Sequence, residues 1–406
     1  MEESKEKRGK RQIGVYIHIP FCSSKCPYCD FNSVALLPLP EKSYTDCLCK
    51  EFVRLAESEE TDGGSHELAS IYIGGGTPSL FSAGSIKRVV GEVKKRFSPQ
   101  KEIEVTIEAN PIRLDARRLA GFLAAGVNRI NMGFQSLSDC ELKVLGRGHG
   151  AAPAVDSYCS AREAGFSNIG VDLIFGLPGQ GLKPWADTLK KVVALRPEHI
   201  SLYNLTIEEN TPFYGLYKDP SRRGLSRAAL PSPLPEEGLE LEMYMAAIEA
   251  LKGQGYIHYE ISNFALPERA SVHNSGYWLG RDFLGVGSGA HSFLSYPGWG
   301  RRFWNERDPA AYMEKVMRGG LAISAVEELE ERDAAAEAVM LGLRMLGRGI
   351  DARDFRSRFG EERWDALYRK SIYLKEKGLV LHSGEGILLA EKGLFISDEV
   401  MVELIP

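Results

Sequence analysis

Short apolar runs alternate with amphipathic segments along most of the chain. Segments such as SIKRVVGEVKKRF (85–97) and PWADTLKKVVALR (184–196) place apolar residues at helical spacing. Between such segments lie runs with the length and apolar content of buried strands. These runs are VYIHI (15–19), SIYIGG (70–75), IEVTIEAN (103–110), VNRINMGF (127–134), IGVDLIFG (169–176) and HISLYNLT (199–206).

This alternation of strand and helix predicts an α/β fold. We expect a parallel sheet covered by helices and curled into a partial (β/α)6 barrel, with an open doubly wound sheet as the alternative. A stretch rich in Pro, Ser and Arg at 215–237 predicts an exposed loop.

The pattern changes after Trp304. The segments 333–345 and 361–379 predict helices, and LVLHSGEGILLAEKG (379–393) predicts a hairpin around SGEG. Helices followed by a hairpin resemble a winged-helix unit, so we expect a small C-terminal α+β domain. The predicted division is a disordered tail at 1–12, a barrel domain at 13–300 and the C-terminal domain at 301–406.

Composition narrows the classes of function. The chain has 406 residues with a formal net charge of −5, which gives no reason to expect nucleic acid, the usual partner of a winged helix. Its 7 cysteines are an odd number, so a disulfide framework is not expected. The charged N-terminal segment lacks the apolar stretch of a signal peptide, and no apolar run approaches roughly 20 residues, the length of a membrane span. We therefore expect a cytoplasmic protein that is not an integral membrane protein.

Three cysteines lie close together after the first predicted strand. Cys22, Cys26 and Cys29 have the spacing Cys-x3-Cys-x2-Cys, so one loop can gather three thiolates at the C-terminal mouth of a barrel. Structural zinc needs a fourth ligand and usually has two separated pairs. An iron-sulfur cluster with three protein ligands leaves one iron open for chemistry. The spacing favours a 4Fe-4S cluster, with zinc or ordinary packing as alternatives. The other cysteines are expected to be buried or incidental thiols on helices: Cys47, Cys49, Cys140 and Cys159.

The cluster segment YIHIPFCSSKCPYCDF resembles that of the radical S-adenosylmethionine (SAM) superfamily. Within it, the chain is similar to the branch that contains oxygen-independent coproporphyrinogen III oxidases and HemW-type heme chaperones. The resemblance continues through GGGTPS, EANP, NMGFQS, LGRGH, DLIFGLPGQ and HNSGYW, and so covers nearly the whole chain.

That resemblance implies that SAM binds the open iron through its amino and carboxylate groups. Carboxylates suit an ammonium or ribose hydroxyls, and arginine suits a carboxylate. Glycines after the second strand can bring backbone N–H groups close to a ligand, although a tight turn explains them equally well. Thr77 can cap the next helix. The residues that the resemblance assigns to SAM are Tyr16, Tyr28, Gly75, Gly76, Thr77, Glu108, Gln135, Arg147 and Asp172. Glu108, Gln135, Arg147 and Asp172 are expected at or just beyond strand ends; without the resemblance, Arg147 would be taken as a surface residue.

Two features separate this chain from the oxidases of that branch. The oxidases have a further cysteine two positions after the third, where this chain has Phe31. They also have a long N-terminal arm, whereas only a short charged segment precedes Val15 here. Both differences argue against decarboxylase activity.

The segment HNSGYW resembles the heme-binding motif of the chaperone branch. Histidine is a common axial ligand of heme iron, and aromatic rings stack on a porphyrin face. Without the resemblance, a packed aromatic corner explains the same residues. The resemblance implies heme-binding roles for His273, Asn274, Tyr277 and Trp278.

Two functions follow as hypotheses. In the first, the protein carries heme to an unidentified acceptor protein, with respiratory and membrane-associated proteins as candidates, and the cluster and SAM organise or gate delivery. In the second, it is an oxygen-independent coproporphyrinogen III oxidase, in which SAM cleavage yields a radical that attacks substrate propionates. We favour the heme carrier.

Overall fold

The structure is a computed structural model that describes residues 10–57, 66–97, 99, 101–112, 114–218, 232–384 and 386–405. Most of the predicted tail (1–9) and much of the predicted loop (219–231) lie outside the described residues. The last residues assigned to the tail, Arg11 and Gln12, instead begin the first strand, where they pair with His66 and Glu67.

The described residues form seventeen strands and fourteen helices. The strands are β1 (Arg11–Ile19), β2 (Phe21–Cys22), β3 (Val34–Ala35), β4 (His66–Gly75), β5 (Glu104–Ala109), β6 (Arg129–Gln135), β7 (Ile169–Phe175), β8 (His199–Asn204), β9 (Ile257–Glu260), β10 (Asn263–Ala265), β11 (Asp282–Val286), β12 (His291–Leu294), β13 (Arg301–Asn305), β14 (Ile323–Glu328), β15 (Ile350–Asp351), β16 (Val380–Ser383) and β17 (Gly386–Leu389). The helices are α1 (Glu41–Ala56), α2 (Ala83–Phe97), α3 (Ala116–Ala124), α4 (Asp139–Val144), α5 (Ala151–Ala164), α6 (Leu182–Leu195), α7 (Pro212–Tyr217), α8 (Glu237–Lys252), α9 (Val272–Trp278), α10 (Pro309–Met317), α11 (Glu331–Arg344), α12 (Ala352–Phe359), α13 (Glu361–Glu376) and α14 (Ser397–Leu404).

A twelve-stranded sheet organises the molecule. Its order is β14-β13-β12-β11-β1-β4-β5-β6-β7-β8-β10-β9, and the strands from β11 to β8 run parallel. The six strands predicted from the sequence follow one another in a single direction, as in a barrel, whereas a doubly wound sheet reverses its order. The prediction of an α/β fold with a mostly parallel sheet is confirmed.

The strands are nearly continuous apolar runs because helices cover the sheet. Helix α2 shows the matching helical pattern, with Ile86, Val89, Val90 and Val93 buried. Helix α3 begins where the Asp115 carboxylate accepts a hydrogen bond from the backbone N–H of Arg118 at 2.7 Å. Since parallel strands point their carboxyl ends to one edge, the loops after β1, β4, β5 and β6 meet there.

The small C-terminal unit has the predicted helices and hairpin. Strands β16 and β17 pair antiparallel, and β15, which the sequence did not predict, joins them in a three-stranded sheet. Phe355, Trp364 and Leu367 are buried in its core. Strands β13 and β14 continue the main sheet to Glu328, so we propose a boundary near Leu329 instead of residue 301.

Within the described residues, no helix combines the length and the apolar character needed to cross a bilayer.

Candidate functional site

The cluster loop is fixed at its base by a short pair of strands. Strands β2 and β3 pair in a separate two-stranded sheet, which closes the base of the loop between Cys22 and Val34. Between these strands, the backbone N–H of Cys29 donates to the carbonyl of Cys26 at 3.1 Å. The loop therefore holds the three predicted ligand cysteines at the carboxyl end of β1.

Polar side chains from other elements contact two of the three sulfurs. Thr77 Oγ1 donates to Cys22 Sγ at 3.5 Å, and the Arg147 guanidinium donates to Cys26 Sγ at 3.6 Å. Burial raises the pKa of Cys22, and the neighbouring Cys29 and Cys26 raise it further, while Thr77 opposes the rise. In the part of the chain that the structure describes, no three His, Cys, Asp or Glu side chains converge on one metal position. A cubane cluster places its thiolates on different irons, so its ligands need not converge in this way.

The GGGTP turn after β4 uses its backbone donors within the protein. The N–H groups of Gly76 and Thr77 donate to the carbonyls of Ile19 and Phe21 at 2.8 and 2.9 Å. The N–H of Gly75 donates to Glu108 Oε2 at 3.1 Å. These N–H groups therefore donate within the protein and do not face a ligand, contrary to the expectation, and the turn packs on the cluster loop. The assignment of Gly75, Gly76 and Thr77 to SAM stays a prediction.

Close packing explains the glycine at position 76. A Cβ atom there would lie 2.8 Å from the carbonyl oxygens of Pro20 and Phe21, closer than side chains tolerate. Thr77 stands at the cap position of the 3₁₀ turn 78–80, but its side chain makes no capping hydrogen bond. The capping role expected for Thr77 is replaced by its contact with Cys22 Sγ.

Two partly buried carboxyl groups, those of Glu108 and Asp172, line the barrel below this turn. Glu108 lies in β5, where the hydroxyl of Tyr72 donates to its Oε1 at 2.8 Å. Asp172 lies in the middle of β7, not at its end as expected, and accepts from Asn131 Nδ2 at 2.6 Å. Burial raises the pKa of Glu108 to about 7, against the opposing hydrogen bond from Tyr72. Burial also raises the pKa of Asp172.

A local distortion of β6 aims Gln135 at the same region. The register between β6 and β7 shifts between Gly133 and Gln135, and Gln135 has a φ of 68°. A bulge of this kind redirects a side chain next to a functional site. Arg147 follows α4, not a strand, and donates to the Gly133 carbonyl at 2.8 Å. The bulge and Arg147 thus meet beside the cluster loop.

The two tyrosines assigned to SAM occupy different environments. The Tyr16 hydroxyl lies 3.0 Å from His18 Nδ1, and its ring stacks near Tyr72 with centroids 6.2 Å apart. Tyr28 lies in the cluster loop, 6.3 Å from the Phe213 ring between centroids. Burial raises the pKa of both phenols. Tyr16 therefore faces the barrel interior, whereas Tyr28 packs at its rim.

His273 lies inside the molecule on α9. It is 3% exposed, with Nδ1 2.8 Å from Ser70 Oγ and Nε2 2.8 Å from the Tyr277 hydroxyl. Its ring stacks on Tyr72 at 5.1 Å between centroids. Burial, followed by the charge of Arg129, lowers the pKa of His273 to about 3, so the imidazole is neutral at physiological pH. The contacts with Ser70 and Tyr277 show that both ring nitrogens of His273 are hydrogen-bonded within the protein.

The rest of the HNSGYW segment lies at the surface of the barrel. Asn274 is partly exposed, and its backbone N–H donates to the Ser271 hydroxyl, which caps α9. Trp278 lies under the Arg344 guanidinium, 4.3 Å from its ring centroid, and its buried Nε1 has no partner among the described residues. The segment thus extends from the barrel interior to the neighbouring C-terminal unit.

Several interior residues were not predicted as site residues. Tyr72 joins the two regions, because it bonds to Glu108 and stacks on His273. Arg129 is 1% exposed, and its charge lowers the pKa of both Glu108 and Asp172 against the effect of burial. A signal for them was present: Ser70 and Tyr72, like Arg129 and Asn131, are polar residues at alternate positions of otherwise apolar strands.

Comparison with known proteins agrees with this architecture. Residues 16–192 match the Radical SAM superfamily, and residues 329–396 match the HemN C-terminal domain. A protein of Bacillus subtilis named heme chaperone HemW is 34% identical over 387 residues, covering 95% of this chain and 97% of the relative. The chain belongs to the HemW family of radical SAM proteins. A Haemophilus influenzae HemW is 39% identical over 303 residues, covering 74% of this chain and 76% of its own.

The solved structure of Escherichia coli coproporphyrinogen III oxidase (HemN) has the same fold. It matches 98% of this HemW-family chain and 90% of its own with a TM-score of 0.79 at 22% identity, a likeness that shows the fold alone. The HemN C-terminal match begins at residue 329, where the main sheet has ended.

Membership of the radical SAM superfamily implies an iron-sulfur cluster and SAM. The residues present fit both. Three thiols share one loop, and the buried acceptor atoms Gln135 Oε1 and Asp172 Oδ1 have no hydrogen-bond partner among the described residues. SAM carries an amino group and hydroxyls, whose N–H and O–H groups are the donors that such acceptors lack.

Proposed function

We propose that this protein is a cytoplasmic heme chaperone that binds heme, a 4Fe-4S cluster and SAM, and passes heme to an acceptor protein. The observation that carries the proposal is the 34% identity, over 95% of the chain, to a relative named heme chaperone. The HNSGYW segment and Phe31 in place of a fourth loop cysteine support it against the oxidase.

In this proposal, Cys22, Cys26 and Cys29 hold the cluster. When bound, the cluster supplies an electron-transfer centre with one iron open to SAM. Arg147 donates to Cys26 Sγ, and Thr77 donates to Cys22 Sγ, so both side chains hold a ligand sulfur in place.

The SAM pocket lies between the cluster loop and the partly buried carboxyl groups. The carbonyl oxygens of the glycine turn would accept from the N–H groups of the SAM amino group, since these donors need acceptors. Asp172 Oδ1 and Gln135 Oε1, which have no hydrogen-bond partner in the described part of the chain, can accept from hydroxyl groups. Glu108 adds a carboxyl group whose ionised form favours a cationic ligand.

For heme, we propose His273 Nε2 as the axial ligand. In the described structure this atom is hydrogen-bonded to Tyr277, so ligation requires Tyr277 to release it. The bond from Nδ1 to Ser70 would then fix the ring, as partners of metal-bound histidines usually do. With a pKa of about 3, His273 keeps its lone pair free of protons at neutral pH.

The two candidate functions can be separated with one anaerobic preparation. The protein is reconstituted with iron and sulfide and split into two portions. One portion is incubated with hemin, and the other with coproporphyrinogen III, reductant and SAM. The chaperone proposal expects hemin that stays bound through gel filtration and moves to an apo-globin added afterwards, with no catalytic loss of coproporphyrinogen III. Catalytic decarboxylation together with failure to retain hemin would contradict it.

A further inference from the structure

A cavity of about 310 Å³ lies between the main sheet and the C-terminal unit. Helix α9 and strand β11 form one wall, and α11 and α12 form the opposite wall. Its volume is at the small end of the range for small-molecule sites, roughly 300–1,000 Å³. Aromatic side chains provide much of the lining: Tyr277, Trp278, Phe283, Phe355 and Phe359. We call this space the arginine cavity, after the residues described next.

Four arginines line the arginine cavity, and two of them are neutralised. Arg302 donates to both carboxylate oxygens of Glu337 at 2.8 Å and to Glu327 at 3.3 Å. Arg348 forms an ion pair with Asp354. The remaining acidic residue of the lining, Asp351, accepts from the backbone of α12 as its cap.

The other two arginines, Arg281 and Arg358, have no carboxylate partner among the described residues. Arg281 makes neither an ion pair nor a side-chain hydrogen bond there, and burial followed by the like charge of Arg348 lowers its pKa. Arg358 donates to the Trp299 carbonyl at 2.7 Å, and burial lowers its pKa as well, against the charges of Glu337 and Asp282, which raise it. Partly buried guanidinium groups without an ion-pair partner are costly, so an entering anion would gain charge-assisted hydrogen bonds.

The cavity also touches the proposed heme ligand. Tyr277 contributes to its wall and at the same time bonds to His273 Nε2. Trp278 also lines the cavity, and its Nε1–H has no hydrogen-bond partner among the residues that the structure describes. A ligand in this cavity is therefore separated from His273 by a single side chain.

We propose that the arginine cavity receives the carboxylate-bearing edge of a tetrapyrrole, with Arg281 and Arg358 binding the carboxylates and the aromatic side chains packing on the ring. The inference rests on the proposed function, since heme is the tetrapyrrole in question. It adds residues outside the HNSGYW segment and gives heme a defined orientation, with its propionates toward the C-terminal unit. The guanidinium fork is suited to carboxylates, and aromatic surface to the ring.

The test compares hemin with hemin dimethyl ester, in which the propionates carry no charge. Both are titrated into the cluster-loaded full chain as wild type, Arg281→Gln, Arg281→Lys and Arg353→Gln. Arg353 is the matched control, because it is exposed on α12 and absent from the cavity lining. We expect the wild type and Arg353→Gln to bind hemin about tenfold more tightly than the ester, as one charge-assisted hydrogen bond allows.

The decisive result is the loss of that preference in one variant. Arg281→Gln should lose most of the preference for hemin over the ester, because only Arg358 is left to bind a carboxylate, and its ester affinity should be unchanged. Arg281→Lys should keep more of the preference than Arg281→Gln does. Unchanged ester binding also shows that the variant is folded. Equal preference for hemin in wild type and Arg281→Gln would overturn the cavity assignment while heme binding itself stands. If the wild type binds neither compound, the proposed function fails, and the assignment fails with it.

Discussion

Replacing Tyr277 with phenylalanine tests whether heme competes for the Nε2 atom of His273. The substitution removes the 2.8 Å hydrogen bond and keeps the ring, whose centroid lies 4.9 Å from His273 and 4.6 Å from Phe283. A buried hydrogen bond contributes about 1 kcal/mol net, so the free energy of unfolding should fall by about that amount. If axial ligation must break the same bond, hemin should bind about fivefold more tightly to Tyr277→Phe.

The assay is a titration of hemin, followed by Soret absorbance, with chemical denaturation of the apo protein in parallel. Tyr373→Phe is the control, because Tyr373 is a largely exposed tyrosine of α13 and should change neither quantity. Reduced stability together with tighter hemin binding supports the competition. Hemin affinity that is equal or weaker in Tyr277→Phe would refute it.

Three further predictions concern the cluster, SAM and the orientation of His273. Cys26→Ala should lose the reconstituted cluster chromophore. Cys159→Ala, which removes an exposed thiol on α5, should keep it. Iron and sulfide contents of the two variants are the measurement. Because Glu108 has a pKa of about 7, a cationic ligand must displace its proton at lower pH, so SAM affinity measured by calorimetry should rise about tenfold from pH 6 to pH 8. In Glu108→Gln that rise should be absent, and an equal rise would exclude Glu108 as its source. Ser70→Ala should weaken hemin binding about fivefold because His273 loses the partner of Nδ1, and no change in a hemin titration would contradict that role.

Periodicity was sufficient to predict the six central parallel strands and the helices α2, α6, α11 and α13. All six predicted strands are present, because each is an apolar run covered by helices on its outer face. The predicted disordered tail includes two residues too many, because Arg11 and Gln12 are polar and give no sign of a strand. In the structure both pair with β4, and the Arg11 guanidinium lies 3.3 Å from the Asp282 carboxylate. Strand β14 was missed at the domain boundary because its residues are mostly exposed and carry no buried-strand pattern.

The site was only partly predictable from the sequence. Motif resemblance selected Glu108 and Gln135, but the bulge that gives Gln135 its positive φ depends on the register between two strands distant in sequence. The bond of His273 to Ser70 joins α9 to β4, so no local pattern indicates it. The bond to Tyr277 has the i,i+4 spacing of one helix, but that spacing becomes a signal only once α9 is known to be helical. The cavity lined by Arg281 likewise exists only where the C-terminal unit packs against the sheet.

The most direct test of the account is the hemin spectrum of cluster-loaded wild-type protein and of His273→Ala. If His273 supplies the axial nitrogen, the variant should bind hemin more weakly and show a shifted Soret band, while its cluster absorbance stays unchanged because Cys22, Cys26 and Cys29 are untouched. A Soret spectrum and hemin affinity that are identical in the two proteins would contradict the account.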